Sequence, residues 1–300
     1  MEFAYYVLLF ALGMALGSFI NVLSLRYNPE RNVFNRECIR GRSKCDACGR
    51  VLKWHELMPI LSFCIQGGRC KTCRASLTLQ YPIIEAVSGL VVAGIPWFLN
   101  YTWGFSQKTF LLLEAPWWHY ILILLWIAVF LVFLLITLID LKHFLIPDEL
   151  TTILGVLGIF ITAILSLYRS SLPIFSASFL KNYGAIGSLD SVVINHVIGS
   201  VVVGALFWML HVVTKGRGMG FGDVKLAFVL GLIFGWPDSL IGTLLSFVIG
   251  GVWGTYLLLS KRKKMKDRVP FGPIMIAGYA TLFFFGFTIV KAYFNLLGLR

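Results

Sequence analysis

Charged residues are scarce in this sequence of 300 residues: they make up 13% of it, whereas 58% of the residues are hydrophobic. Apolar stretches of about 20 residues recur along the chain, and each is long enough to cross roughly 30 Å of hydrocarbon. The composition therefore excludes an ordinary soluble protein and predicts an all-α integral membrane protein. No Lys or Arg precedes the first apolar stretch, so we expect that stretch to remain as a membrane helix rather than be a cleavable signal peptide.

We predict about eight transmembrane helices from these apolar stretches. Their approximate bounds are 3–25, 82–99, 117–139, 150–167, 192–213, 219–236, 239–259 and 271–292. The sixth is unusual, because its apolar part covers only residues 224–234, which as a helix is roughly 16 Å long. Glycines precede it at alternate positions, so either the bilayer thins here or the glycine run dips below the membrane surface and places Asp223 in a wet cavity.

Acidic residues are few: 14 Asp and Glu stand against 26 Lys and Arg, giving a net charge of +12. If the predicted helices alternate in direction, loops 26–81, 140–149, 214–225 and 260–270 lie on one side and hold 21 of the 26 basic residues. The positive-inside rule then puts these loops in the cytoplasm and both chain termini on the outer side. Orientation and contact with anionic lipid explain the basic charge, so we expect no nucleic-acid partner.

Residues 26–81 form the only sizeable soluble segment. A segment this small cannot bury a large core and needs a stabilising cross-link instead. Two Cys-x2-Cys hooks flanked by glycines provide one: Cys45, Cys48, Cys70 and Cys73. This pattern is typical of a zinc ribbon, in which four thiolates hold a structural ion and leave no open position. A redox pair in a membrane thiol oxidoreductase is the alternative, but it suits the outer face and not a reducing compartment. Cys38 and Cys64 fall outside the hooks.

Two aspartates lie at the predicted cytoplasmic boundary of the membrane. Asp140 ends a long apolar helix, and Asp223 follows the glycines in the run Gly220-Phe221-Gly222-Asp223. A carboxylate beside a membrane core is costly and rarely lacks a function. Two carboxylates on one face can share a proton and activate water, which is the chemistry of an aspartyl protease.

Two other classes of function remain open at this point. A transporter could bind protons or cations with the same two aspartates, but it predicts inverted repeats, and none is apparent. A membrane-tethered zinc-ribbon binding module would make both aspartates dispensable. Among other polar residues, Asn21 is predicted to hydrogen-bond between helices, Glu85 to pair with a helix dipole or a basic loop residue, and Asp148 to act as a helix N-cap.

The ordered motifs resemble those of the prepilin peptidases, the type IV leader peptidases of bacteria. They are Gly17-Ser18-Phe19-Ile20-Asn21-Val22 with Arg26, the four hook cysteines with Gly67-Gly68-Arg69-Cys70, Tyr81-Pro82-Ile83-Ile84-Glu85, Ile139-Asp140 with Ile146-Pro147-Asp148, Gly220-Phe221-Gly222-Asp223-Val224-Lys225-Leu226, and Pro270-Phe271-Gly272-Pro273. The match extends over nearly the whole chain. The stretch 27–44 and the outer loop 168–191 are longer than is usual in the family.

The resemblance implies an aspartyl endopeptidase of the bacterial inner membrane with Asp140 and Asp223 as its catalytic residues. It implies cleavage of type IV prepilins or pseudopilins on the cytoplasmic side after a Gly, with N-methylation of the new terminus by S-adenosylmethionine in many members. It also implies a division into an N-terminal domain, residues 1–100, with two spans and a small cytoplasmic zinc-ribbon-like loop, and a six-helix peptidase domain, residues 101–300.

Overall fold

In the residues that it describes, the computed structural model is all-helical apart from two isolated antiparallel β-bridges, Lys44 with Val51 and Arg69 with Ser76. It describes residues 2–39, 41–45, 47–102, 116–168, 178–187, 189–262, 264 and 267–298. The α-helices in this part of the chain are α1 (Glu2–Arg26), α2 (Arg36–Ile39), α3 (Leu61–Ile65), α4 (Gln80–Thr102), α5 (Trp117–His143), α6 (Asp148–Leu167), α7 (Val192–Val213), α8 (Phe221–Phe234), α9 (Asp238–Leu259) and α10 (Gly272–Leu296).

Seven of these helices are long and apolar enough to cross a membrane: α1, α4, α5, α6, α7, α9 and α10. The prediction of an all-α membrane protein is therefore confirmed. The predicted sixth span corresponds to α8, which has only 14 residues. At 1.5 Å per residue α8 is roughly 21 Å long, so the count of about eight becomes seven long helices and one short one.

The chain divides into two compact units, Met1–Leu138 and Ile139–Arg300. The division into domains near residue 100 stays a prediction. Part of the predicted outer loop 168–191, namely residues 169–177 and residue 188, lies outside the described residues.

In the N-terminal unit, α1 packs along α4 at the small residues of α1. A Cβ added to Gly17 would lie 2.6 Å from Ser88 Oγ of α4, so only glycine permits this approach. At the end of the same contact, Asn21 Nδ2 donates to the carbonyl of Tyr81 at 3.3 Å, and Gln80 Nε2 donates to Asn21 Oδ1 at 3.3 Å. The predicted interhelical hydrogen bond of Asn21 is therefore present.

In the C-terminal unit, α8 packs against α6 and α7, and α9 packs against α10. The backbones of α7 and α8 meet at two glycines, because a Cβ on Gly199 would lie 2.8 Å from the carbonyl oxygen of Gly231. Beside them, Ser200 Oγ donates to the carbonyl of Phe228 at 2.8 Å. This close contact fixes the axis of the helix that carries Asp223.

Candidate active site and metal cluster

Asp140 lies in the last turn of α5, where its side chain is buried and the residue is 4% exposed. The backbone N–H of Gly272, the first residue of α10, donates to Asp140 Oδ2 at 3.1 Å. A Cβ on Gly272 would stand 2.6 Å from that oxygen, so the hydrogen bond depends on the missing side chain. The motif that contains Gly272 therefore contacts the carboxylate of Asp140 directly.

Asp223 is the third residue of α8 and is partly exposed. Its Oδ2 accepts a hydrogen bond of 3.0 Å from the backbone N–H of Gly220, which precedes the helix. The carboxylate therefore satisfies one of the free donors at the helix N-terminus and lies at the positive end of the helix dipole. The sequence pattern Gly-x-Gly-Asp forms this turn, and its exposed side holds Gly220 and the ring of Phe221.

The two aspartates lie at the same end of the C-terminal unit. Ile146 contacts both motifs: a Cβ on Gly222 would lie 3.4 Å from Ile146 Cβ, and one on Gly272 would lie 3.3 Å from Ile146 Cδ1. Asp140 and Asp223 are close enough for their charges to interact. Two neighbouring carboxyl groups can share one proton, with one member protonated and the other ionised.

Asp148 and Lys225 form an ion pair beside the aspartates. Lys225 Nζ lies 2.8 Å from each carboxylate oxygen of Asp148. The prediction that Asp148 is the N-cap of its helix was wrong, because α6 begins at Asp148 itself, Pro147 takes the cap position, and no side chain caps the helix. The pair instead ties the start of α6 to the helix turn that carries Asp223.

The four hook cysteines come together in the N-terminal unit. The sulfurs of Cys45, Cys48, Cys70 and Cys73 all lie within 4.8 Å of one another, and those of Cys45 and Cys73 are 3.8 Å apart. Four thiolates around a zinc ion at a Zn–S distance of about 2.3 Å would be roughly 3.8 Å apart. The donor set and its spacing therefore fit a tetrahedral zinc ion.

Each hook is a tight turn, and the two turns are built alike. The backbone N–H of Cys45 donates to the carbonyl of Arg50, and that of Cys70 donates to the carbonyl of Ala75, both at 2.9 Å. Four residues after the first cysteine of each hook, the chain has a positive φ: +69° at Gly49 and 57° at Arg74. Glycine adopts this backbone without strain, whereas arginine does so at a cost.

Backbone donors also prepare a cysteine for metal binding. The backbone N–H groups of Cys73 and Thr72 lower the pKa of the Cys70 thiol to about 6. Burial and hydrogen bonds with the other thiols of the cluster raise the pKa of the Cys73 thiol to about 11. The backbone donors therefore favour a thiolate at Cys70, and the thiolate is the form that binds zinc.

Two glutamates stabilise the cysteine loop through partners that no sequence pattern indicates. Glu56 accepts hydrogen bonds from the backbone N–H of Lys53 at 2.8 Å and from Arg50 at 2.6 Å, and these lower the pKa of its carboxyl group. Glu85 of α4 is 6% exposed and accepts a 2.8 Å hydrogen bond from the backbone N–H of Ile60, rather than from a basic loop residue. The loop is thereby attached to the second turn of α4.

Two family models match the chain. The bacterial peptidase A24 N-terminal domain matches residues 11–99, and the type IV leader peptidase family matches residues 127–255. A prepilin leader peptidase/N-methyltransferase of Aeromonas hydrophila is 30% identical over 93% of this chain and 90% of its own length. The chain belongs to the type IV leader peptidase family. Proteins with the same name from Pseudomonas aeruginosa and Stutzerimonas stutzeri are 27% and 28% identical and cover 96% and 90% of this leader peptidase.

No solved structure matches the leader peptidase. Family membership makes it an aspartic protease and a multi-pass membrane protein, and it favours the protease over the transporter and the tethered zinc-ribbon module. The expected prepilin peptidase resemblance is confirmed over most of the chain.

Proposed function

We propose that this leader peptidase removes the leader of type IV prepilins or pseudopilins after a Gly, on the cytoplasmic side of the bacterial inner membrane. We propose further that it methylates the new N-terminus with S-adenosylmethionine. The family match and the names of relatives that cover 90% or more of the chain support this function. The chemistry of the cut is assigned to Asp140 and Asp223.

The observation that carries the assignment is that packing brings two distant carboxylates to one end of the C-terminal unit, close enough to interact. In the proposed mechanism a water molecule lies between them. The protonated aspartate polarises the scissile carbonyl, and the ionised one takes a proton from the water as it attacks. No covalent intermediate is formed, and no metal takes part in this step.

The surroundings of the two carboxyl groups differ, which supports different roles for the two aspartates. Asp140 is buried and accepts a hydrogen bond from the N–H of Gly272, whereas Asp223 is partly exposed beside Gly220, which is exposed and has no side chain. An extended peptide backbone can approach most closely where no Cβ projects. We therefore assign the entry of the substrate backbone to the side of Asp223.

The test is leader cleavage by full-length protein carrying Asp140→Asn or Asp223→Asn. Each change keeps the shape of the side chain and removes the titratable group, so we expect a loss of at least about 1,000-fold in the cleavage rate, measured by mass spectrometry of a prepilin. Asp190→Asn is the matched control, since Asp190 lies exposed outside the helices, and it should cleave normally. Normal cleavage by either catalytic variant contradicts the assignment.

Zinc and the methyl donor have separate proposed roles. Cys45, Cys48, Cys70 and Cys73 would hold zinc as a structural ion, because four thiolates complete its tetrahedral coordination. The N-methyltransferase in the names of the relatives is the support for S-adenosylmethionine as a co-substrate.

We also propose that both termini lie on the outer side and that the aspartates face the cytoplasm. This orientation follows from the 21 of 26 basic residues in loops on one side, and it requires α8 to count as a crossing despite its length. A protease-protection assay on tagged termini in inside-out vesicles tests it: both tags should be protected, and digestion of one of them would show that α8 does not cross.

A further inference from the structure

Residues 57–68 of the cysteine loop, which we call the apolar segment, contain no charged residue and lie between the two hooks. The hydroxyl and amide side chains of the segment, Ser62 and Gln66, are half-buried. Its exposed side chains are all apolar or a thiol: Leu57, Met58, Leu61, Cys64 and Ile65. This distribution is the reverse of that of a soluble loop, whose polar side chains face the solvent.

The short helix α3 makes the two sides of the apolar segment distinct. Residues four apart share a helix face, so Leu61 and Ile65 lie on one side and Ser62 and Gln66 on another. Ser62 and Gln66 line a cavity inside the N-terminal unit, whereas Leu61 is 55% exposed and Ile65 is 78% exposed. A single exposed aliphatic side chain is ordinary, but a contiguous apolar surface marks a site of interaction.

The apolar segment lies beside a membrane helix and not beyond its end. The backbone N–H of Ile60 donates to Glu85 Oε2 at 2.8 Å. Glu85 belongs to α4, whose candidate membrane span is Gln80–Thr102, and its Cα lies about 7.5 Å along the axis from the first residue of that span. An amphipathic segment in the membrane interface buries its apolar face to a depth of about 5–10 Å, which is the level of these first two turns.

The residues at the borders of the apolar segment fit the boundary between lipid and water. Lys53 precedes the segment and Arg69 follows it, and both are exposed. Basic side chains at this level attract anionic lipid headgroups. Trp54 is 78% exposed, and tryptophan is enriched where membranes meet water. The apolar exposed side chains and their basic borders therefore match a lipid leaflet in both polarity and charge.

We propose that the apolar segment is inserted in the bilayer leaflet in which α4 begins, with Leu61 and Ile65 in contact with acyl chains and Trp54 at the headgroups. The name of that leaflet, the cytoplasmic one, is the only part that rests on the orientation proposed above. Part of the segment predicted to be soluble is then a membrane anchor. Because the hooks flank it, a zinc ion held by the four cysteines would join the two ends of the inserted segment.

The test uses Cys64 as a built-in reporter, because it is exposed and outside the cluster, whereas Cys38 is buried. A nitroxide label on Cys64 of full-length, zinc-loaded protein is measured in nanodiscs of phosphatidylethanolamine and phosphatidylglycerol. Collisions with oxygen, which concentrates in lipid, are compared with collisions with a water-soluble nickel chelate. We expect the oxygen-to-nickel ratio to be at least about five-fold higher than for a label at Glu30→Cys in Cys64→Ser protein, since Glu30 is exposed in the same unit.

Ile65→Asp provides a second, independent measurement. A carboxylate is costly to bury in lipid, so the ratio at Cys64 should fall towards the value at Glu30→Cys. Ile65→Leu is the matched control and should keep the wild-type ratio. Because the side chain of Ile65 points away from the protein, both variants should retain their zinc, which separates withdrawal from the membrane from unfolding.

Three results would overturn the proposal. A Cys64 label that the nickel chelate reaches as readily as the label at Glu30→Cys shows that the segment lies in water. A label shielded from both reagents shows that protein, such as a second copy of the chain, covers it. Nickel collisions that disappear only after a prepilin is added show that the surface binds substrate. The main measurement needs no substrate, so its outcome is independent of the proposed peptidase function.

Discussion

The cysteine cluster and the aspartate pair both join residues that are distant in sequence, but they are built in opposite ways. Each pair of cysteines sits in one short turn closed by its own backbone hydrogen bonds, and only one contact between two such turns is needed. Asp140 and Asp223 instead stand at the ends of helices, and the packing of α6, α7, α8 and α10 determines where those ends lie. The first site depends on local geometry, and the second depends on the whole unit.

This difference determines how each site should respond to damage. A local turn fails when a ligand or its backbone angle is changed, and distant substitutions matter little. A site formed by helix packing is sensitive to any added atom where two helices approach closely. Four experiments test this contrast, beginning with the largest expected effect.

The largest effect is expected at the metal ligands. Cys70→Ser removes one of the four sulfurs, and because metal binding supplies much of the folding energy of such a loop, we expect zinc content to fall from about one ion per chain to nearly none. The loop 26–81 should also become sensitive to protease. Cys64→Ser, an exposed cysteine outside the cluster, is the matched control and should keep its zinc. Full zinc content in Cys70→Ser contradicts the cluster assignment.

The second effect concerns the approach of α10 to the first aspartate. In Gly272→Ala the new methyl group would lie 2.6 Å from Asp140 Oδ2, so the carboxylate must move. A displacement of about 1 Å in a catalytic group can reduce the rate about 100-fold, and we expect a loss of that size in prepilin cleavage. Gly254→Ala, where a Cβ meets nothing within 4 Å, should cleave at the wild-type rate. Equal rates for both variants would show that Gly272 does not position Asp140.

A smaller effect is expected from the ion pair beside the aspartates. Asp148→Asn and Lys225→Gln each free the start of α8 from α6, and since the pair is partly exposed we expect only about a five-fold loss of cleavage. The double variant should lose no more than either single one, because both remove the same contact. Lys261→Gln, an exposed lysine outside the site, serves as the control. Additive losses would mean that the two residues act separately.

The smallest effect tests whether the two cysteine turns are equivalent. Arg74→Gly should stabilise the zinc-loaded loop by up to about 1 kcal/mol, because glycine accepts the positive φ that strains arginine. Arg74→Asn should lie between the two, since asparagine tolerates this conformation better than arginine. The concentration of chelator that removes half of the zinc measures the ranking. Weaker zinc binding by Arg74→Gly than by the wild-type protein would show that the arginine side chain itself stabilises the turn.

The same contrast explains what could be predicted from sequence. The cysteine ligand set follows from spacing alone, because both hooks are local, and the structure brings all four sulfurs together. The membrane class and most helix bounds follow from apolar length. For Asp140 and Asp223, counting of spans could place both on one side, but their proximity depends on helix packing that no local pattern records.

The contacts that sequence reasoning missed are long-range ones. The pair of Asp148 with Lys225 and the hydrogen bond from Ile60 to Glu85 join residues separated by 77 and 25 positions. Asp148 precedes an apolar run and follows a proline, which is a signal for the start of a helix, and this signal led to the incorrect N-cap assignment. Pro147 occupies the cap position, so the carboxylate of Asp148 pairs with another residue. That residue is Lys225 of the Gly-x-Gly-Asp motif, and its opposite charge is the one sequence feature that indicates the pair.

The contact between Gly199 of α7 and Gly231 of α8 is a point about which the short helix can tilt. Asp223 stands eight residues before Gly231, which is about 12 Å along the axis. If α8 tilted by about 10° around that point, the carboxylate would swing by about 2 Å, more than the tolerance of a catalytic dyad. Bilayer thickness would change the same tilt angle of α8, since a helix of roughly 21 Å is shorter than a typical hydrocarbon core. The cleavage rate should therefore depend on the acyl-chain length of the surrounding lipid.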